Sequence, residues 1–311
     1  MEKKDYTTAV NEFQQVIDQN SRLAESYRAE GIAYYSEKAY PEAIAAFSRS
    51  LNNMDDPDKE FKKDVQFYLA QARMDYGEVD KAIEVYSEIL KAGEDEQAFF
   101  LRGKAYISME DYKNAEKDFQ RALEGCEDYN LYINIYQIYV DHNKAVDGDA
   151  YLKMALELEP QDGEDCYHRG RIYEYEKNYE AARDELKTAM EQGYEDAMLL
   201  LGRVYLEMED PASARSMYQE YLQKSEQGAK AYNGLAMCDI YDGAYDSALE
   251  NIAQGLKENS KEDEQGLLYN EIVDYEYKRD FATAKEKMKI YLEQYPEDEA
   301  ALRENEFLST R

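Results

Sequence analysis

The chain has 311 residues, 44% hydrophobic and 34% charged, enough to bury a sizeable core. Acids outnumber bases 68 to 37, giving a formal net charge of −31 that disfavours nucleic-acid backbones and anionic membrane surfaces. No apolar run is long enough for a spanning helix and no signal peptide is visible. Cys126, Cys166 and Cys238 lack the paired spacing of a disulfide framework.

In chain order, one small residue returns at Ala43, Ala82, Ala115, Gly148, Ala182, Ala214, Ala248 and Ala284, at intervals of 39, 33, 33, 34, 32, 34 and 36. A period near 34 with two helices in each is a solenoid signature. Twelve residues earlier stands Gly31, Ala70, Gly103, Gly170, Gly202 or Ala236, with Tyr136 and Ile272 as exceptions. Three residues beyond that place come Tyr34, Tyr106, Tyr139, Tyr173, Tyr205 and Tyr275. Four residues after the second-helix small residue comes a large one, such as Phe47, Tyr86, Phe119, Leu186 or Tyr218. Two antiparallel helices approach closely only where one carries a small side chain, and the large residue fills the space beside that contact. Tyr40, Val79, Tyr112, Tyr179, Pro211, Tyr245 and Phe281 are expected to open the second helices and cover the turns.

These positions resemble the tetratricopeptide repeat, a small residue and a Tyr in the first helix, then Ala, a large residue and Ala in the second. The closest matches are Gly103, Tyr106, Ala115, Phe119, Ala122 and Gly170, Tyr173, Ala182, Leu186, Ala189. The family's first-helix Trp is replaced, for example by Tyr27, Phe99 and Cys166, while its closing Pro stands at Pro160 and Pro296. The resemblance implies an all-α fold, a right-handed α–α superhelix of eight repeats within 1–296. An N-terminal half repeat (1–20) precedes them and a capping helix (297–311) follows. The repeats fall near 22–52, 60–91, 95–125, 128–160, 162–192, 194–224, 227–258 and 262–296.

The departures are local. Residues 52–58 read as an inserted loop between repeats, and 141–149 replace the usual fourth turn. The acids there lack the alternation and final Glu of a calcium loop, so no metal is expected. The start, with Ala9 and Phe13 in second-helix places, reads as a repeat whose first helix has been cut away. On that expectation the compartment stays open: cytoplasmic by default, or exported and lipid-anchored if an upstream segment carries a signal.

No constellation for catalysis is visible: no GxSxG, no Walker loop, no GxGxxG. Cys166 and His168 read as structural core residues, and His142 as an exposed turn residue. Neither enzyme activity nor a cofactor is expected.

The resemblance implies that first helices line a concave side where a protein or peptide lies. The residue just after the first-helix small residue, and those three to four places either side of that one, face inward. That selects Tyr35, Phe67, Phe100, Lys104, Asn134, Gln137, Tyr167, Arg171, Tyr175, Arg203, Asn233, Tyr241, Tyr269, Asn270 and Tyr277, with Ile133 beside Asn134. Lys104, Arg171 and Arg203 occupy equivalent places. They read either as donors to a partner's carboxylates and carbonyls or as partners of nearby Glu174 or Glu207. The expected partner is an unidentified protein or peptide, with no nucleic acid and no membrane insertion, and the chain a monomer or weak dimer. The alternative is a structural, self-assembling repeat protein with no groove ligand.

Overall fold

The computed structural model describes residues 22–54 and 58–311, and the proposed N-terminal half repeat lies outside them. Among the described residues there are seventeen helices and no strand. They run α1 (Leu23–Ser36), α2 (Tyr40–Asn52), α3 (Lys59–Tyr76), α4 (Val79–Ala92), α5 (Glu96–Ser108), α6 (Tyr112–Ala122), α7 (Tyr129–Asp141), α8 (Ala145–Leu156) and α9 (Gly163–Tyr175). Then follow α10 (Tyr179–Glu191), α11 (Ala197–Glu207), α12 (Pro211–Lys224), α13 (Ala229–Tyr241), α14 (Tyr245–Lys257), α15 (Lys261–Tyr277), α16 (Phe281–Gln294) and α17 (Glu299–Ser309). The chain divides into two compact units, Met1–Met154 and Ala155–Arg311, the division falling within α8.

Seven second helices start at the residue that the spacing assigns to cover the turn, from Tyr40 in α2 to Phe281 in α16, and α8 starts at Ala145, likewise three residues before its small residue. Many of the acids serve as helix caps. Asp95, Asp111, Asp128, Asp162, Asp210, Asp280 and Asp298 each accept from backbone N–H groups one turn into the next helix, satisfying donors the helix cannot.

The turns share one conformation. The residue five places before each second-helix small residue has a left-handed φ: Lys38, Gly77, Glu110, Asn143, Lys177, Glu209, Gly243 and Arg279. Only two of the eight are glycine. The conformation lets the next N–H reach back to the carbonyl of the recurring first-helix tyrosine, as Asp111 to Tyr106 and Asn178 to Tyr173, at 2.9 and 2.8 Å. This is the Schellman closure of a helix end.

The small-beside-large contact is tight. A Cβ built on Gly103 would stand 2.7 Å from Cε1 of Phe119, and one on Gly170 would stand 2.6 Å from Cγ of Leu186. Ala43, Ala82, Ala115, Ala182, Ala214, Ala248 and Ala284 are all fully buried. The fourth hairpin reverses the sizes: Tyr136 takes the small place on α7, and Gly148 on α8 makes room, its would-be Cβ 3.1 Å from Cδ2 of Tyr136.

An ion pair recurs across the hairpins. Arg102, next to Gly103, donates to both carboxylate oxygens of Asp118 on α6 at 2.7 and 2.8 Å. Arg169 meets Glu185 at the equivalent positions of α9 and α10, 2.8 Å apart. In the last hairpin the charges are exchanged, with Glu271 on α15 and Lys287 on α16, 2.7 Å apart. Cys166 and His168 are buried in α9, and His142 is exposed.

Candidate functional site

Within the second unit the first helices α9, α11, α13 and α15 enclose an open cavity of about 960 Å³. Four residues expected from the sequence meet there: Tyr167 from α9, Arg203 from α11, Asn233 from α13 and Asn270 from α15. The Asn270 amide donates to the Asn233 side-chain oxygen at 2.7 Å, tying α15 to α13 across the wall. Tyr167 is half-buried, its ring 4.9 Å from that of Tyr194, and burial pushes its hydroxyl pKa up.

Sequence reasoning missed part of the lining. Leu199 and Met237 hold the same repeat positions as Asn233 and Arg203, but an aliphatic side chain there carries no sign that separates lining from packing. Asp196 and Lys230 lie one turn nearer the helix starts than the inward set reached. Tyr218 comes from a second helix, α12. Its ring enters between two glycines, and a Cβ at Gly202 or Gly234 would stand 2.6 or 2.3 Å from its Cζ. The ring therefore passes between α11 and α13 and brings its phenol end to the cavity lining. Burial raises the Tyr218 hydroxyl pKa strongly, with nearby Arg203 opposing.

The cations of this wall are paired. Arg203 makes a two-pronged pair with Glu174, Nε–Oε1 2.6 Å and Nη2–Oε2 2.7 Å. Burial among its neighbours works to lower the guanidinium pKa, yet the Glu174 hydrogen bond holds it above its usual value. Lys230 lies 3.3 Å from Glu262 and 4.0 Å from Asp263. Arg171 donates to Nδ1 of His168 at 3.3 Å and sits over the Tyr167 ring.

The other expected residues are placed as follows. Tyr35 donates to Asp75 at 2.5 Å and packs with Phe67 against the first core cluster. Phe100 lies beside Phe119 and lines a smaller hollow of about 400 Å³ with Asp95, Glu96, Gln97 and Leu131. Lys104 and Asn134 are exposed, the Gln137 amide donates to Asp141 at 3.0 Å, and Ile133 is core at 2% exposure. Tyr269 turns its ring to Tyr291 in the C-terminal cluster. Tyr175 and Tyr241 are exposed at helix ends, and Tyr277, also exposed, stacks on Tyr245.

Two tetratricopeptide-repeat family models match the chain, one over residues 1–58, 167–229 and 199–264, the other over 96–128. Together these spans exceed half of its length. The chain is a tetratricopeptide-repeat protein. Among curated proteins, BBSome complex member BBS4 of Bos taurus is 26% identical over 103 residues, 33% of this chain. The aligned part spans only 20% of that relative's length. Among solved structures, a tetratricopeptide repeat protein from Parabacteroides merdae has a TM-score of 0.51 at 12% identity, covering 81% of this chain and 100% of that one. Yeast Tom70 has a TM-score of 0.53 at 15% identity, covering 93% and 74%. At these identities the likeness concerns the fold alone. Tetratricopeptide-repeat proteins generally mediate protein–protein interaction and are generally not enzymes. Among the described residues, no helix is long and apolar enough to cross a membrane.

Proposed function

We propose that this tetratricopeptide-repeat protein is a non-catalytic scaffold that receives a segment of another protein in the cavity between α9, α11, α13 and α15. The observation that carries the reading is the lining itself. First helices α11, α13 and α15, with the turn before α13, present apolar Leu199, Leu206 and Met237 beside hydrogen-bonding Asn233, Asn270 and Gln227 in one open hollow. Met237 stands 39% exposed there. Apolar surface with a few converging polar groups is what a bound chain needs. Helices packed at about 10 Å give three intervals of about 30 Å in all, which an extended chain spans with about nine residues.

The test places a photo-crosslinking amino acid at Met237 or Asn233, and in parallel at Glu250 and Glu286 on second helices. The expected result is one partner segment joined through the first pair of positions and not through the second. Adducts that form only from Glu250 or Glu286 would overturn the reading.

A further inference from the structure

The charge of the hollow names the chemistry of its occupant. Its lining carries five carboxylates, Asp196, Glu207, Glu258, Glu262 and Asp263, against two cations, Arg203 and Lys230. Both cations are already compensated, Arg203 by Glu174 and Lys230 by Glu262 and Asp263. Asp196 and Glu207 accept from the phenol hydroxyls of Tyr221 and Tyr179, at 3.4 and 3.1 Å; among the described residues neither is within ion-pair distance of a cation, Asp196 acting on Lys230 only from further off. Glu258 is exposed at the end of α14.

This asymmetry opposes an acidic guest. A guest carboxylate at Arg203 would meet a guanidinium whose charge Glu174 already offsets, and five lining carboxylates that repel it. A basic guest meets attraction instead. Its ammonium or guanidinium groups find carboxylates, Asp196, Glu207 and Glu258, that form no ion pair among the described residues, and the −31 net charge draws it in.

A second, independent observation points to a guest. Tyr218 is 4% exposed and lines the cavity, and among the described residues its hydroxyl has no hydrogen-bond partner. Its ring is held fast while the phenol oxygen opens on the hollow, leaving the O–H free to donate to whatever lies there. A peptide carbonyl lying along the hollow would supply an acceptor.

We infer that the hollow takes a basic segment of another protein, lysines or arginines interleaved with apolar residues. The cationic groups reach Asp196, Glu207 and Glu258, the apolar ones rest on Leu206 and Met237, and a main-chain carbonyl accepts from Tyr218. The inference rests on the scaffold reading above and deepens it. It also replaces the expectation that Arg171 and Arg203 hold a partner's carboxylates.

The test titrates the full chain with two fluorescent peptides of matched length, one alternating Lys with Leu and the other Glu with Leu. The Lys–Leu peptide is expected to bind, more weakly as salt rises, and the Glu–Leu peptide not to bind. The combined variant Asp196→Asn, Glu207→Gln, Glu258→Gln keeps each side chain's shape. It should weaken binding about tenfold or more, since three attractive charges leave the contact surface. The same charge change on second helices, Glu250→Gln, Glu286→Gln and Glu293→Gln, should alter it less than about twofold. Tyr218→Phe should weaken it severalfold, with circular dichroism reporting that every variant is folded.

Equal losses in the two triple variants would mean attraction to general acidity and would overturn the inference. Binding of the Glu–Leu peptide, lost on Arg203→Gln, would overturn the charge assignment while leaving the scaffold reading standing. Failure of both peptides also overturns the charge assignment. Crosslinking from Met237 then tells whether the hollow takes a guest of another kind or none.

Discussion

Gly103→Ala adds a single carbon at the tightest point of the third hairpin. That carbon would stand 2.7 Å from Cε1 and 2.8 Å from Cδ1 of Phe119. Favourable carbon–carbon contact begins at about 3.5 Å, so the approach is close to 1 Å too short. Phe119 is fully buried, with Phe100, Tyr139 and Tyr151 rings centred 6.0–6.1 Å away, so it has no space to retreat into. Overpacking of this kind costs about 1–3 kcal/mol, while replacing a mid-helix glycine by alanine returns about 1 kcal/mol. The net expectation is a loss of about 0–2 kcal/mol. In a Phe119→Ala background the obstructing ring is gone, and the same Gly103→Ala change should stabilise by about 0.5–1 kcal/mol. Urea unfolding combined with amide exchange over α5 and α6 reads both, because repeat arrays open locally. The reasoning is refuted if Gly103→Ala stabilises the parent protein or costs the same in both backgrounds.

Arg102→Ala strands Asp118, whose side chain is 7% exposed, and should cost about 3 kcal/mol in urea unfolding. Glu271→Lys and Lys287→Glu should each destabilise by about 1–2 kcal/mol, while the double exchange restores most of the loss in a double-mutant cycle. Asp274 is fully buried without a hydrogen-bond partner, and desolvation pushes its pKa up to about 6. The folded carboxyl therefore holds its proton more tightly than the unfolded chain does, and its ionisation lowers stability as pH rises from about 4 to 6. Asp274→Asn should be about 1–3 kcal/mol more stable than the parent at pH 7, the difference closing below about pH 4 in urea midpoints taken across that range. Lys177 holds φ +56°, so Lys177→Gly should raise the unfolding midpoint by the equivalent of about 0.5–1 kcal/mol.

The hairpins were legible because steric size at fixed spacing leaves a periodic trace. Gly103 with Phe119 and Gly170 with Leu186 are separated by the same number of residues, and a contact within one hairpin repeats whenever the hairpin does. The turn conformation left little trace, since glycine marks it only at Gly77 and Gly243, and Glu110 or Lys177 gives no local sign of a positive φ. Contacts between neighbouring hairpins were also hidden. Tyr218 fits between Gly202 of its own hairpin and Gly234 of the next, and nothing in the spacing of either reveals the pairing. For Arg203 the sequence offered Glu174 and Glu207 as equal candidates, and three-dimensional placement selected Glu174. Tyr167, Asn233 and Asn270 could be found because they share helical phase. Tyr269 shares that phase too, but its ring turns to Tyr291 in the terminal cluster.

The exchanged polarity of the last ion pair bears on how a chain of look-alike hairpins avoids mistakes as it matures. Helices of similar size and pattern can dock with the wrong sibling during folding, a hazard of repeated sequences. If α9 docked on α16, Arg169 would face Lys287, and if α15 docked on α10, Glu271 would face Glu185. Both mistaken unions set like charges together in half-buried places, where water does little to relieve them. The reversal thus sets the last hairpin apart from the third and fifth, which share one polarity.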